Sequence, residues 1–576
     1  MNYKTVYENW LTNPHLSGDG VNELKAIKDD ENEIKYRFGK ELAFGTAGMR
    51  GILGLGTNMM NVYTVRRATQ GLSDYINRLG SAYSSRGVAI SYDTRRMSKE
   101  FALASAGVLM ANGIHVYLYK DARPVPMLSF AVRNLGCIAG IMITASHNPK
   151  EYNGYKVYGE DGAQMSPEAT ETVVGYIKKI TDYFSVKCVE IPDIKKAGFK
   201  GCSMLGKWFE RKYYKELLKV SLSPVAVKKE GPSIKLVYTP VHGTGFVPVT
   251  TILKKLKINA TVVEEQKYPD TEFSTVEVPN PEFKETLSKG IELADKINAD
   301  VVFGTDPDCD RLGVALREKN GEFVALSGNQ VGVLLLNYIL TRLKEENKLS
   351  DDAFAVKSFV STGLAKAVAD GFGVELKEVP VGFKFIGEKI KQAEKDGKGT
   401  FVFGFEESCG YLRGTHSRDK DAVVASMLVA EMVCYYKYVN KSVIDVLNSI
   451  YERYGYCLDK TVSIQYGGLN AMEEMNSAVE AMSKKKIDKI DVHTIVAVRN
   501  YQTGVKTNFD GSQEKLEYNN LNCLYYEFEN GGFICLRPSG TEPKLKIYYS
   551  MCAKDKQRAE ETLKKVQTAF EEILRS

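Results

Sequence analysis

The segment Thr144-Ala145-Ser146-His147-Asn148-Pro149 sets a serine among small and turn-forming residues, leaving its hydroxyl open to a reaction partner. The Asn148-Pro149 step favours an extended turn. Lys156, ten residues after Ser146, offers an ammonium that would stabilise a transferring phosphoryl group or relay a proton. The run Asp306-Pro307-Asp308-Cys309-Asp310-Arg311 presents three carboxylates at alternate positions, which point the same way if the backbone is extended. Three anions side by side call for a cation, and hard oxygen donors with room for a phosphate oxygen suit magnesium. A calcium hand is excluded, because Arg311 stands where its sixth-position glycine belongs and Arg317 where its twelfth-position glutamate belongs. In Gly404-Phe405-Glu406-Glu407-Ser408-Cys409-Gly410-Tyr411, two carboxylates and a hydroxyl are suited to gripping sugar hydroxyls. Adjacent carboxylates rarely straddle a bond as a glycosidase dyad must. Arg537-Pro538-Ser539-Gly540-Thr541-Glu542-Pro543-Lys544 combines two cations, two hydroxyls and a backbone-exposing glycine, an anion cradle that lacks the Walker pattern. Two weaker loops are the glycine-rich Gly45 to Gly51, with Arg50 at its edge, and Val381-Gly382-Phe383-Lys384. Each loop taken alone also reads as a plain polar turn. Together they describe an enzyme that transfers a phosphoryl group at one end of a substrate and holds a phosphate at the other.

The elements that must position these loops alternate strand, loop and helix. Apolar runs at Gly87–Tyr92, Ile138–Ile143, Ile234–Tyr238, Val301–Phe303 and Thr400–Phe403 read as buried strands separated by helical patterns, the signature of α/β domains. One helix is expected to carry Phe283, Leu287, Ile291 and Ala294 on a single face. Another opens with Ser327 three residues before Gln330, and a third spans Val423 to Tyr436 with Glu431 buried in it. Strands crowd between Cys457 and Tyr549, and an amphipathic helix with Ala559, Leu563, Val566, Phe570 and Ile573 inward closes the chain, which is α+β. Boundaries near residues 205, 320 and 455 give four parts: 1–205, 206–320, 321–455 and 456–576.

The 576 residues suffice for about four domains. The net charge of +5 is small for this length, with no arginine-rich tract, so a nucleic-acid partner is not expected. No run of about 18 apolar residues occurs, and the first residues have no apolar signal core, so neither a membrane nor export is expected. The ten cysteines form no C-x-x-C pair and read mostly as small, reduced core residues of a cytoplasmic protein.

The four loops, in this order, resemble the motifs of the α-D-phosphohexomutase family over nearly the whole chain. The resemblance implies three related α/β domains with mixed sheets and a C-terminal α+β domain like the TATA-binding protein, around a central cleft. It implies that Ser146 bears a phosphoryl group and that Asp306, Asp308 and Asp310 hold Mg2+, with a Ser146 phosphate oxygen completing the shell. Arg50, His147 and Lys156 would act at the reacting phosphate, Lys156 as proton relay. Glu406 and Ser408 would bind sugar hydroxyls, with Arg311, Lys384 and Lys420 nearby, and Arg537, Ser539, Gly540 and Thr541 would hold the non-reacting phosphate. The implied reaction interconverts glucose 1-phosphate and glucose 6-phosphate through a glucose 1,6-bisphosphate intermediate. The partners are then small-molecule sugar phosphates, and the protein a monomer or homodimer. Mannose or pentose phosphates remain alternative substrates within the family. A serine-dependent sugar phosphatase and a non-catalytic sugar-phosphate sensor are alternatives outside it.

Overall fold

The computed structural model describes residues 2–45, 48–191, 201–467, 470–539 and 543–575. The chain divides into two compact units, one of residues 1–327, 383–404 and 408–438, the other of 328–382, 405–407 and 439–576.

The first unit opens with helices Tyr3–Leu11, Gly18–Ala26 and Glu31–Phe38, which bury Trp10 among Phe38, Tyr63, Tyr183 and Phe184. A seven-stranded sheet follows, in the order Phe44–Gly45, Gly48–Ile52, Tyr152–Gly159, Ala139–Ile143, Val88–Tyr92, Val116–Tyr119, Cys202–Leu205. Val88–Tyr92 and Ala139–Ile143 are parallel and buried throughout, which explains their unbroken apolar composition. Helix Val62–Leu79 covers the sheet and starts at a capping box in which Asn61 and Thr64 satisfy each other's backbone N–H groups. The second sheet has the order Phe323–Leu326, Leu312–Arg317, Val301–Thr305, Leu236–Thr239, Ala260–Val262, its last three strands parallel and its first two antiparallel. Both sheets are therefore mixed. Both also repeat one device: a buried parallel strand runs into a chemistry-bearing loop and returns as its antiparallel neighbour.

The helix expected through Phe283 begins only at Ser288, after a 3-10 turn over Lys284–Leu287. Thr286 Oγ1 donates to the carbonyls of Val278 and Asn280 and ties this stretch into a turn, which leaves Phe283 49% exposed while Leu287 and Ala294 are buried. Helix Ala422–Tyr438 is buried as expected, and Glu431 is hydrogen-bonded by the N–H groups of Leu222 (2.5 Å) and Ser223 (2.9 Å) and the Ser221 hydroxyl. Among the described residues, no single helix is long and apolar enough to cross a membrane.

In the second unit, helix Gly328–Glu345 starts directly after Ser327. Strands Ala353–Ser358 and Glu375–Val379 pair in parallel across helix Leu364–Gly371. The C-terminal sheet is antiparallel, running Tyr456–Gln465, Lys544–Ala553, Phe533–Pro538, Leu524–Phe528, His493–Asn500, Val505–Asn508, Gln513–Lys515. Helices Ala471–Lys484 and Lys556–Arg575 share one core with it, containing Met475, Val479, Met482, Val566 and Phe570. The expectation of reduced thiols fails for one pair. Cys457 and Cys552 stand directly opposite on neighbouring strands, their Cα atoms 4.0 Å apart, and are joined as a disulfide. Seven of the other eight cysteines are buried, as small core residues should be.

Candidate active site

The serine loop leaves strand Ala139–Ile143 and turns at Ser146, which adopts a left-handed backbone with φ 53°. Thr144 Oγ1 accepts the Ser146 N–H at 2.8 Å, and Asn148 N donates to the Ala145 carbonyl. Ser146 Oγ thereby lies 3.1 Å from His147 Nδ1 and donates to Asp306 Oδ2 at 3.2 Å. One hydroxyl and the acidic loop thus share a site, although 160 residues separate them.

The acidic loop is not extended. Cys309 N donates to the Asp306 carbonyl and Cys309 is left-handed at φ 51°, so the three carboxylates converge because the chain turns, not because it alternates. Asp306, Asp308 and Asp310 are all buried, with ligand oxygens within 4.8 Å of one another. Asp306 Oδ1 accepts the N–H groups of Asp310 (3.1 Å) and Arg311 (3.0 Å). Lys156 Nζ sits 3.0 Å from Asp308 Oδ2, and Lys420 Nζ 3.2 Å from Asp310 Oδ2. Asp308 Oδ1 and Asp310 Oδ1 have no hydrogen-bond partner. Burial and the neighbouring carboxylates push Asp306 and Asp310 up, whereas at Asp308 burial is outweighed by Lys156 and Lys420. Orphaned, mutually repelling buried oxygens are the donor set that a divalent cation neutralises, so the residues fit a metal.

Cationic groups surround this core. The Arg50 guanidinium donates to Asn148 Oδ1 at 2.8 Å. Arg311 pairs with Glu282, and its Nε lies 4.0 Å from both Asp306 Oδ2 and Asp310 Oδ1. Burial, with Arg311 and Arg50 close by, drives His147 well below the ordinary histidine range, so its ring is neutral. Lys420 bridges Asp310 and Asp419, and Asp419 is fixed by the Tyr158 hydroxyl at 2.8 Å. Lys384 and Ser408, also in the first unit, are half-buried.

Glu406, Arg537 and Ser539 belong to the second unit. Glu406 is buried and accepts the Gly382 N–H at 2.7 Å, so the weak Val381–Lys384 loop acquires a partner. Its neighbour Glu407 accepts from the Ser358 hydroxyl at 2.8 Å. Arg537, the penultimate residue of strand Phe533–Pro538, reaches the Tyr548 hydroxyl at 3.5 Å, while Ser539 N donates to the Lys544 carbonyl. Gly540 and Thr541 lie outside the described residues, as do Thr46 and Ala47 of the glycine-rich loop.

Three contributors carried no visible signal in the sequence. Glu282 holds Arg311 across 29 residues. The loop Pro240–Gly245 grips the acidic loop through Thr244, whose N–H and hydroxyl both donate to the Pro307 carbonyl (2.8 and 2.9 Å). Arg95 fastens the serine loop through backbone carbonyls, partners that any sequence provides.

Three domains of the family described as phosphoglucomutase/phosphomannomutase match the chain in order: alpha/beta/alpha domain I over residues 41–184, domain II over 211–321 and domain III over 327–454. The phosphoglucomutase of Staphylococcus saprophyticus is 36% identical over 553 residues, 94% of this chain and 96% of that one. The phosphoglucomutase of Staphylococcus aureus is 37% identical over 533 residues, 92% and 93% of the two chains. Two solved structures share the fold. A phosphoglucomutase/phosphomannomutase family protein from Burkholderia thailandensis has a TM-score of 0.64 at 18% identity, covering 91% of this chain and 96% of its own. Parafusin, a phosphoglucomutase from Paramecium in its open form, has a TM-score of 0.65 at 17% identity, covering 93% and 94%. By sequence matches across both units and by a serine set against an acidic triad, the chain belongs to the phosphoglucomutase/phosphomannomutase family, the α-D-phosphohexomutases.

Proposed function

We propose that the protein is a phosphoglucomutase that interconverts glucose 1-phosphate and glucose 6-phosphate, with Ser146 as the residue phosphorylated between turnovers. The observation that carries this reading is the Ser146 hydroxyl 3.2 Å from Asp306, beside two buried carboxylate oxygens that lack hydrogen-bond partners. Phospho-Ser146 gives its phosphoryl group to the substrate's free hydroxyl, and glucose 1,6-bisphosphate results. The bisphosphate turns over, and Ser146 then takes the other phosphoryl group back. His147 Nδ1, 3.1 Å from Ser146 Oγ, lies within hydrogen-bond reach of the serine and helps to orient it at the reacting phosphate. Lys156, anchored on Asp308, brings positive charge to the reacting phosphate and serves as the proton relay. Arg50 and Arg311 add charge at the same end. Asp306, Asp308 and Asp310 hold Mg2+, which when bound neutralises charge developing on the transferring phosphoryl group. Glu406 and Ser408 select the sugar hydroxyls, with Lys384 near the sugar. Arg537, Ser539, Gly540 and Thr541 hold the phosphate that does not react. On this reading the enzyme works in the cytoplasm, on charged sugar phosphates that a lipid bilayer retains there.

Mass spectrometry of the purified protein tests the reading. A phosphate on the Ser146 peptide, whose 32P label passes into the sugar phosphates on addition of glucose 1-phosphate with magnesium, is expected, and Ser146→Ala should lose activity by at least about 1,000-fold. A Ser146→Ala variant with full activity overturns the serine mechanism. Release of inorganic phosphate faster than isomer makes the protein a phosphatase, and a higher kcat/KM for mannose or ribose 1-phosphate moves the substrate within the family.

A further inference from the structure

Arg95 is a buried cation of the first unit that engages several partners and takes no direct part in the proposed chemistry. It follows strand Val88–Tyr92 and is 3% exposed. Its Nη2 donates to the carbonyls of Ser146 and Asn148, both at 2.5 Å, and its Nη1 to those of Pro149 (2.9 Å) and Tyr152 (3.3 Å). One planar fork thus collects four carbonyls from the segment that carries the nucleophile. These bonds hold Ser146 in its left-handed conformation, which a non-glycine residue does not keep without support. Asp93 aims the fork: its Oδ2 lies 3.4 Å from Arg95 Nε, and its Oδ1 accepts the Arg95 N–H and the Ser98 hydroxyl.

The exposed face of the guanidinium is closed from the neighbouring domain. The Phe273 ring lies 5.0 Å from it and is itself 2% exposed. Phe273 sits in a tight left-handed turn that Asp270 ties by accepting the N–H groups of Glu272 and Ser274. His242 clamps the same turn from both ring nitrogens, to the Tyr268 carbonyl (3.0 Å) and the Thr275 hydroxyl (2.8 Å). Two residues on, Thr244 grips the Pro307 carbonyl inside the acidic loop. A continuous set of contacts therefore runs from the serine loop through Arg95, Phe273, His242 and Thr244 to the metal loop.

We infer that Arg95, capped by Phe273, is a positioning residue that sets the Ser146 oxygen against the acidic triad across two domains. It touches neither substrate nor the reacting atoms. Its work is to keep the phosphoryl-bearing loop and the metal loop in register, where a shift of about 1 Å would slow transfer about 100-fold. The inference rests on Ser146 being the phosphoryl carrier.

The test is rapid-quench transfer of 32P from phospho-Ser146 to glucose 1-phosphate, with steady-state kcat and KM and thermal midpoints alongside. Arg95→Lys keeps the charge but cannot span four carbonyls. Its single-turnover transfer and kcat should fall together by about 100-fold, with KM within about threefold of wild type. Phe273→Leu keeps apolar volume without the ring and should slow transfer by about tenfold at unchanged KM. Arg95→Ala should regain transfer with added methylguanidinium and not with methylammonium. Arg123→Lys alters a buried arginine of the same domain whose side chain pairs with Glu210 (2.7 Å), Asp121 and the Ala122 carbonyl rather than with the serine loop, and supplies the structural control. Transfer within about twofold of wild type in Arg95→Lys and Phe273→Leu overturns the inference. So does a loss in Arg95→Lys that Arg123→Lys reproduces at the same fall in thermal midpoint, or one that lies mainly in KM. If Arg95→Lys fails to fold, Phe273→Leu decides alone. Wild-type protein without phosphate on Ser146 would instead overturn the proposed function.

Discussion

At the scale of single residues, the site depends on two backbone conformations that side-chain chemistry does not advertise. Ser146 and Cys309 both have positive φ, at 53° and 51°. At Cys309 this turn makes the three carboxylates converge, and its cost, about 1–2 kcal/mol for a residue with a Cβ, is borne by burial of the thiol and by the bond from Cys309 N to the Asp306 carbonyl. A β-branched residue tolerates this region least. Cys309→Val should lower stability by about 2 kcal/mol and weaken Mg2+ binding by about tenfold, measured by calorimetric titration, while Ser146 remains phosphorylated in the isolated protein. Unchanged metal affinity would show that the turn at Cys309 does not set the carboxylates. The residues that carry charge or a hydroxyl in the two reacting loops were legible because their chemistry is a matter of composition. The means of convergence was not, since alternation at 306, 308 and 310 suggests an extended strand and a cysteine gives no turn signal. Lys420 illustrates the same limit. Its charge was legible, but its seat between Asp310 and Asp419 depends on folding across more than 100 residues.

At the scale of elements, the recurring strand, loop and antiparallel return explains why the apolar runs could be placed while loop partners could not. Ala139–Ile143 and Val301–Thr305 are buried on both faces, so hydrophobicity alone marks them. What fixes each loop against its neighbours is backbone contact, to which sequence pattern is blind. Gly243 is such a case. A Cβ there would stand 2.5 Å from Pro307 Cα, 2.8 Å from the Pro307 carbonyl oxygen and 3.0 Å from that of Asp306, all main-chain atoms that cannot rotate away. The supporting loop therefore packs against the metal loop only with glycine at this position. Gly243→Ala should displace the acidic loop, lowering stability by about 1–3 kcal/mol and kcat by about 10- to 100-fold, with Mg2+ affinity reduced in calorimetric titration. A variant with wild-type kcat and metal affinity would show that the loop yields without moving the carboxylates. Phe283 failed as a helix position for a related reason: the bonds from Thr286 to the Val278 and Asn280 carbonyls belong to a turn, and helical spacing had hidden them.

At the scale of the whole chain, the order of the loops was readable but the grouping of the segments was not, because the third family domain contributes residues 328–382, 405–407 and 439–454 to one unit and 383–404 and 408–438 to the other. In the second unit, part of that domain and the C-terminal sheet meet around a half-buried carboxylate. Asp459, on strand Tyr456–Gln465, accepts from the Ser550 hydroxyl at 2.6 Å and interacts with Thr362, Asn329 and the Lys357 charge. Burial pushes its carboxyl from 3.8 up to about 6. The folded unit therefore holds a proton that the unfolded chain has released between these values, and the stability this group contributes is present below about pH 4 and lost as pH rises through about 6. A shift of two pKa units, discounted for partial exposure, corresponds to about 1–2 kcal/mol. Asp459→Asn keeps the shape and removes the titration. Hydrogen exchange of the Tyr456–Gln465 peptides should show wild-type protection falling by about half of that amount from pH 5 to pH 7, after correction for intrinsic exchange, against a smaller change in Asp459→Asn. Equal pH dependence in the two proteins would mean that Asp459 is ionised in the fold throughout this range, with Lys357 and the surrounding hydroxyls outweighing its burial. A local readout is needed because a protein of two units need not unfold in one step, and a single thermal midpoint would mix their responses.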